Sequence, residues 1–139
     1  MVERFNGTSA GVVVEAGARV VKTIGDGIMF VAPGATTGVT AGLALLEQVS
    51  STAGLPALRV AVASGEVVPQ EGDLFGATVN LASRLVALAR PGTLLVDAAT
   101  RAGVTGEDLD LTPLAARRLK GLGSVRSWRV RRRTAERVP

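Results

Sequence analysis

Two β-branched apolar runs near the start of the chain, residues 19–24 and 28–32, flank Gly25-Asp26-Gly27. An Asp-Gly pair between apolar runs is a strong local signal for a β-hairpin. We therefore expect two antiparallel strands here, with Asp26 at the exposed tip.

Helical spacing of apolar residues follows in two longer segments. Residues 38–49 carry apolar side chains three or four positions apart, namely Val39, Leu43, Leu46 and Val49, which predicts one helix face packed on a sheet. Residues 78–89 predict a second amphipathic helix that ends before Arg90-Pro91-Gly92. The Val- and Ala-rich residues 12–18 are typical of the end of a further helix.

Shorter apolar runs predict the remaining strands. They cover residues 58–63, 66–68, 93–96, 109–111 and 127–131, with a polar loop at 70–72 and a helical turn at 98–102. Strands that alternate with helices predict an α/β fold, here an α+β sandwich with helices on a mixed sheet. We expect one domain over residues 1–139 with a basic tail at 131–139.

Composition supports a globular chain whose core is built from aliphatic rather than aromatic side chains. Hydrophobic residues make up 47% of the sequence and aromatic residues only 3%, so Val, Leu and Ala must fill the core. Residues 27–46 carry no charge and approach the length of a membrane span. Pro33-Gly34 interrupts this run, so we do not expect a membrane helix. No signal-peptide pattern follows Met1, and we expect a cytoplasmic protein.

The absence of cysteine and histidine removes several kinds of chemistry. Disulfides, thiolate or imidazole zinc sites and Ser-His or Cys-His nucleophiles are excluded. A metal ion would need oxygen ligands, which favour magnesium, manganese or calcium.

The net charge of +4 comes largely from the C-terminal quarter. Its cations are Arg117, Arg118, Lys120, Arg126, Arg129, Arg131, Arg132 and Arg133. A solvated basic tail accounts for this cluster, and contact with phosphate or nucleic acid is the alternative.

Two segments, VVKTIGDGIMF at residues 20–30 and GDLFGATVNLASRLVALARPGTLLV at residues 72–96, closely resemble the catalytic domain of class III adenylate (nucleotidyl) cyclases. The resemblance implies a ferredoxin-like fold with a mainly antiparallel sheet. It also implies a homodimer or higher homo-oligomer that binds ATP between head-to-tail domains. The reaction would form 3′,5′-cyclic AMP and pyrophosphate.

The same resemblance assigns roles to individual residues. Asp26 matches a metal ligand for Mg²⁺ or Mn²⁺, and Lys22 and Asp73 match the residues that recognise adenine. The chemistry agrees, because adenine offers an acceptor at N1 and a donor at its 6-amino group, whereas guanine reverses both. In a symmetric homodimer, Lys22 and Asp26 of one chain would serve opposite active sites.

Three further residues match the transition-state and phosphate-binding positions of the family. Asn80 and Arg84 lie four apart in the second predicted helix, so they project from one face. Asn80 would orient the ribose, and Arg84 would stabilise negative charge on the reacting phosphate. Lys120 matches a residue that binds the triphosphate.

The sequence departs from the family's pattern at its start. Cyclase domains begin with a strand that carries the first metal aspartate, and nothing in residues 1–11 resembles it. We therefore expect weak or no activity from the chain alone, and an unpaired strand edge that invites association. Residues 63–65 also replace the His-Thr-Gly often found there.

Three functions remain open on the sequence alone. The chain is an adenylate cyclase domain, or a catalytically silent domain that binds nucleotide or complements a complete cyclase chain, or a nonenzymatic assembly or nucleic-acid module. The last would depend on the basic tail and bind in a salt-dependent way.

Overall fold

The computed structural model describes residues 11–24, 27–50, 57–106 and 108–133. The described chain begins in helix α1 (residues 11–15). The further elements are β1 (Arg19–Ile24), β2 (Gly27–Val31), α2 (Ala35–Ser50), β3 (Val60–Val62), β4 (Val68–Gln70), β5 (Asp73–Phe75), α3 (Ala77–Leu88), β6 (Leu94–Val96), α4 (Ala98–Gly103), β7 (Leu109–Pro113), β8 (Arg117–Leu119), β9 (Gly123–Val125) and β10 (Trp128–Arg132).

The predicted end of the first helix is confirmed. Gly17 has a φ of 94°, and its N–H donates to Val14 O at 3.0 Å. The N–H of Ala18 donates to Val13 O, also at 3.0 Å. These two bonds form a Schellman motif, in which a left-handed glycine satisfies the last carbonyls of a helix.

The predicted hairpin is confirmed as the antiparallel pair of β1 and β2. Its register places Arg19 opposite Val31 and Lys22 opposite Met29, with an irregularity between Val20 and Lys22. Residues 25 and 26 at the tip, including the predicted metal ligand Asp26, lie outside the described residues.

A four-stranded sheet with the order β3-β6-β10-β7 forms the other main body. The pair β3–β6 is parallel, whereas β6–β10 and β10–β7 are antiparallel. The predicted mixed and mainly antiparallel sheet is therefore confirmed. Among the described residues, β1–β2, β4–β5 and β8–β9 form separate two-stranded sheets.

Helix α2 joins the two bodies through two apolar clusters. Its residues Val39 and Leu43 pack against the four-stranded sheet, in a cluster with Val60, Leu94, Val96, Leu109 and Val130. Its residues Ala41 and Leu45 pack with Val13, Ala18, Ile28 and Phe30 on the side of the hairpin. Helix α2 thus packs against both the hairpin and the four-stranded sheet, because two of its faces are apolar.

Between Ala63 and Phe75 the sequence prediction is wrong in part. The strand expected at 66–68 instead covers Val68–Gln70, and the loop expected at 70–72 is a two-residue turn into β5. Glu71 and Gly72 have φ values of 51° and 77°. Two consecutive residues with positive φ are typical of the type I′ turn, whose twist suits a tight hairpin.

The C-terminal third contains a hairpin that the pattern did not predict, formed by β8 and β9. Strand β10 extends to Arg132, so the first two residues of the expected basic tail belong to the sheet. Residues 134–139 lie outside the described part of the chain. Within the described part, no helix has the length and apolar character that crossing a membrane would require.

Candidate functional site

Lys22 and Asp73, two of the predicted site residues, form an ion pair. Lys22 lies on β1 and Asp73 is the first residue of β5, 51 positions further along. Lys22 Nζ donates to Asp73 Oδ2 at 2.7 Å. The two side chains are 38% and 28% exposed, so solvent or a ligand can reach both.

The carboxylate of Asp73 is held by a second donor as well. Its Oδ1 accepts from the N–H of Leu74 at 2.7 Å. The hydrogen bond from Lys22 lowers the pKa of Asp73 below its ordinary value of 3.8, the Leu74 N–H lowers it further, and partial burial opposes both. At neutral pH the site therefore presents an ammonium and a carboxylate side by side.

Asn80 and Arg84 lie on α3, which begins directly after β5. Gly76 connects the two elements with a φ of 127°, and its carbonyl accepts from Asn80 N at 3.2 Å in the first helical turn. Both side chains are exposed, whereas Leu85 is the buried residue of the helix. Among the described residues, Arg84 forms no ion pair and remains available to a ligand.

Of the two remaining predicted residues, Lys120 and Asp26, the structure describes only Lys120. Lys120 is exposed in the turn between β8 and β9, and no hydrogen bond joins it to Lys22 or Asp73 within the described chain. Asp26 lies outside the described residues. In the ranges that the structure covers, no group of three or more His, Cys, Asp or Glu side chains could hold a metal ion.

The sequence analysis did not predict a polar network around the buried side chains of Asp97 and Thr100. Asp97 Oδ1 accepts from Thr100 N at 3.0 Å and from Ser64 N at 3.3 Å. Ser64 Oγ and Thr100 Oγ1 lie 2.6 Å apart, and Thr100 Oγ1 donates to Val62 O at 3.2 Å. The available signal was an aspartate directly before a predicted helical turn, which is a common N-cap.

Two of the chain's arginines stack on its single tryptophan. The guanidinium carbons of Arg101 and Arg126 lie 5.3 and 5.5 Å from the ring centroid of Trp128. Distances under about 6 Å are those of cation–π contacts. Arg126 is therefore held against Trp128 in the four-stranded sheet, whereas the sequence predicted a solvated basic cluster or, as the alternative, contact with phosphate or nucleic acid.

Comparison with known proteins identifies the family. The sequence profile of the adenylate and guanylate cyclase catalytic domain matches residues 4–132. The chain belongs to this family and is a class III cyclase catalytic domain. The resemblance inferred from the two sequence segments is confirmed.

Individual relatives agree with this assignment. An adenylate cyclase of Streptomyces coelicolor is 37% identical, with 96% of this chain and 42% of that protein covered. An adenylate cyclase of Streptomyces griseus is 46% identical over 71% of this chain and 25% of its own length. The chain thus spans less than half the length of these curated relatives.

The fold has a close counterpart among solved structures. An adenylate/guanylate cyclase/hydrolase from Silicibacter pomeroyi superimposes with a TM-score of 0.75 at 25% identity. The match covers 86% of this chain and 76% of that one. The predicted fold class is confirmed.

Proposed function

We propose that this chain is the catalytic domain of an adenylate cyclase, which converts ATP into 3′,5′-cyclic AMP and pyrophosphate. The observation that carries the proposal is the contact between Lys22 and Asp73 at 2.7 Å. Relatives named adenylate cyclase at 37% and 46% identity support the same substrate.

The ion pair has the donor and acceptor pattern that adenine requires. Lys22 donates to N1 of the base, and Asp73 accepts from the 6-amino group. Guanine carries a donor at N1 and an acceptor at O6. The Lys22 donor would then face a donor and the Asp73 acceptor would face an acceptor, so neither hydrogen bond could form. An unpaired polar group in a partly buried site is costly, and this cost gives selectivity for ATP over GTP.

The exposed side chains of α3 act on the sugar and phosphates. Asn80 orients the ribose so that its 3′-hydroxyl faces the α-phosphorus. Arg84 stabilises the charge that develops on the phosphate oxygens as pyrophosphate leaves. Lys120 contributes to triphosphate binding from the turn between β8 and β9.

We further propose a homodimer with the nucleotide at its interface, and Asp26 as a ligand of Mg²⁺ or Mn²⁺. A carboxylate at a hairpin tip is a hard oxygen ligand that suits either ion. The ion would supply charge stabilisation at the triphosphate when bound.

Exchanging the two charges of the pair tests base recognition. The double variant Lys22→Glu, Asp73→Lys should prefer GTP to ATP, because its donor and acceptor are reversed. Each single variant should bind ATP about tenfold or more weakly. The matched control is the double variant Arg132→Glu, Glu47→Arg, which reverses the charges of another ion pair. In the original chain, Arg132 Nε lies 2.6 Å from Glu47 Oε2. Unchanged selectivity in the exchanged Lys22–Asp73 variant would refute the assignment.

Activity itself is tested by cyclic AMP formation from ATP and Mn²⁺. The chain is assayed alone and then mixed with a complete cyclase that lacks its counterpart of Arg84. Product from the chain alone supports a self-sufficient enzyme, and product only in the mixture supports a domain that complements a complete chain. Silence in both, with nucleotide binding retained, would leave a silent nucleotide-binding domain and refute catalysis.

A further inference from the structure

The hairpin of β8 and β9, with the residue that follows it, carries four cations, namely Arg117, Arg118, Lys120 and Arg126. The sequence has no acidic residue between positions 111 and 133, so no neighbour along the chain neutralises them. Within the ranges that the structure describes, none of the four forms an ion pair. The hairpin therefore has a local excess of positive charge.

Strand alternation places Arg117 and Arg118 on opposite faces of this hairpin. Arg117 shares its face with Leu119 and with its register partner Val125, and both of these apolar side chains are half-buried. Arg118 shares the other face with its register partner Ser124, and both of these side chains are exposed. The face that carries Arg118 is therefore the one open to a ligand.

Lys120 lies on the same side of the hairpin as Arg118. It follows Leu119 directly as the first residue of the turn, two positions after Arg118, which corresponds to about 6.6 Å along a strand. The fourth cation, Arg126, is held against Trp128, with its guanidinium carbon 5.5 Å from the ring centroid. Arg118 and Lys120 thus remain as two neighbouring cations on one exposed face.

The two side chains have complementary properties for binding a polyphosphate. The guanidinium of Arg118 can donate two parallel hydrogen bonds to one phosphate group, whereas the ammonium of Lys120 is a compact charge. The hydroxyl of Ser124 adds a donor on the same face. Negative charge grows on pyrophosphate as its bond to the α-phosphorus breaks, so a guanidinium beside it stabilises the transition state as well as the bound substrate.

We propose that Arg118 is a second triphosphate-binding residue, which acts with Lys120 from the same face of the hairpin. The proposal rests on the cyclase function proposed above, and it adds a residue to which the resemblance to cyclases assigned no role. Arg118 binds the terminal phosphates of ATP and holds pyrophosphate as it leaves. Arg117, one position earlier and on the opposite face, takes no part.

Binding of inorganic tripolyphosphate to the whole chain tests the assignment without a base and without a reaction. The titration is calorimetric, at about 0.15 M salt, where charges more than about 8 Å apart are largely screened. Arg118→Met should weaken binding about tenfold, and so should Lys120→Met. Arg117→Met is the matched control, because it removes the same charge from the neighbouring position, and it should change the affinity less than about twofold.

A second substitution separates the shape of the guanidinium from its charge. Arg118→Lys keeps the charge but loses the planar pair of donors, so it should recover only part of the affinity lost in Arg118→Met. In cyclic AMP formation, Arg118→Met should raise the KM for ATP and lower kcat. The preference for ATP over GTP, which we assign to Lys22 and Asp73, should stay the same.

Equal weakening by Arg117→Met and Arg118→Met would overturn the proposal, because a general excess of charge would then explain the binding. Full affinity in Arg118→Met, or no binding of tripolyphosphate to the original chain, would overturn it as well. Failure of the proposed function has a different result. A chain that forms no cyclic AMP but binds tripolyphosphate through Arg118 would lose the cyclase assignment and keep the phosphate site.

Discussion

At the scale of single residues, the contact between Lys22 and Asp73 does not prevent either group from binding a base. Lys22 has three donors, and one is used by Asp73 Oδ2. Each oxygen of the carboxylate accepts one bond in the structure, from Lys22 or from Leu74 N, and retains a second lone pair. Both groups therefore keep hydrogen-bonding capacity for the base that we propose they bind, with the ion pair intact.

The lowered pKa of Asp73 gives a direct test of this contact. Removing the ammonium in Lys22→Met should raise the pKa of Asp73 toward 3.8, although the Leu74 N–H continues to lower it. A carboxylate with a lowered pKa contributes stability that is fully present above its unfolded pKa. That contribution is lost as the pH falls through the folded pKa, here below 3.8.

The measurement is NMR titration of the Asp73 carboxyl carbon in both proteins. The chain contains one other lysine, Lys120, which makes no contact with Asp73 in the described residues. Lys120→Met is therefore the control and should leave the titration of Asp73 unchanged. An identical pKa in the original chain and in Lys22→Met would contradict the ion pair.

One oxygen of Asp97 accepts a hydrogen bond from helix α4 and another from the segment that follows β3. Asp97→Ala leaves the N–H groups of Thr100 and Ser64 without this acceptor, so we expect a loss of about 1–2 kcal/mol in the free energy of unfolding. Asp97→Asn keeps an oxygen at the same place and should retain most of the stability. Urea unfolding measures both, and an equal loss in the two variants would argue against the cap.

At the scale of elements, the sequence predicted the helices and strands that are marked by short sequence patterns. The hairpin of β1 and β2 followed from Asp-Gly between apolar runs, and α3 followed from helical spacing ended by Pro91 and Gly92. Strand β4 was misplaced because Pro69 argues against a strand interior. The three residues of β4 are exposed, and an edge position in a two-stranded pair tolerates a proline.

The close packing of α2 on the four-stranded sheet depends on Gly42. A Cβ at this position would lie 2.5 Å from Leu94 Cδ1 and 3.0 Å from Val60 Cγ1, and both residues belong to the buried cluster. Gly42→Val should therefore destabilise the chain by about 1–3 kcal/mol despite its better helix propensity. Thr40→Val on the exposed side of the same helix is the control. Equal midpoints of chemical unfolding for the two variants would show that the helix does not approach the sheet so closely.

At the scale of the whole molecule, the candidate site joins elements from separate sheets. Lys22 belongs to the hairpin and Asp73 to the pair β4–β5, so no local pattern could predict a contact across 51 positions. Only the resemblance to cyclases suggested it. The structure shows the contact between the two residues, whereas the roles assigned to Lys22, Asp73, Asn80, Arg84, Lys120 and Asp26 stay predictions.

Helix α2 packs against both the hairpin and the larger sheet. Substitutions in its two apolar faces should therefore affect different strands. Leu45 is 2% exposed and packs on the hairpin side, whereas Leu43 is 5% exposed and packs on the four-stranded sheet. Each substitution by alanine should cost about 2–5 kcal/mol. Native-state hydrogen exchange should quicken mainly in β1 and β2 for Leu45→Ala, and mainly in β3 and β6 for Leu43→Ala.

The same pair of variants tests whether the hairpin positions Lys22 for its ligand. Leu45→Ala should weaken ATP binding more than Leu43→Ala, because it loosens the strand that carries Lys22 while Asp73 keeps its place on β5. Binding is measured below the onset of unfolding in both variants. Equal weakening, with exchange quickened uniformly over both sheets, would mean that the chain responds as one cooperative unit and that α2 does not link two separable bodies.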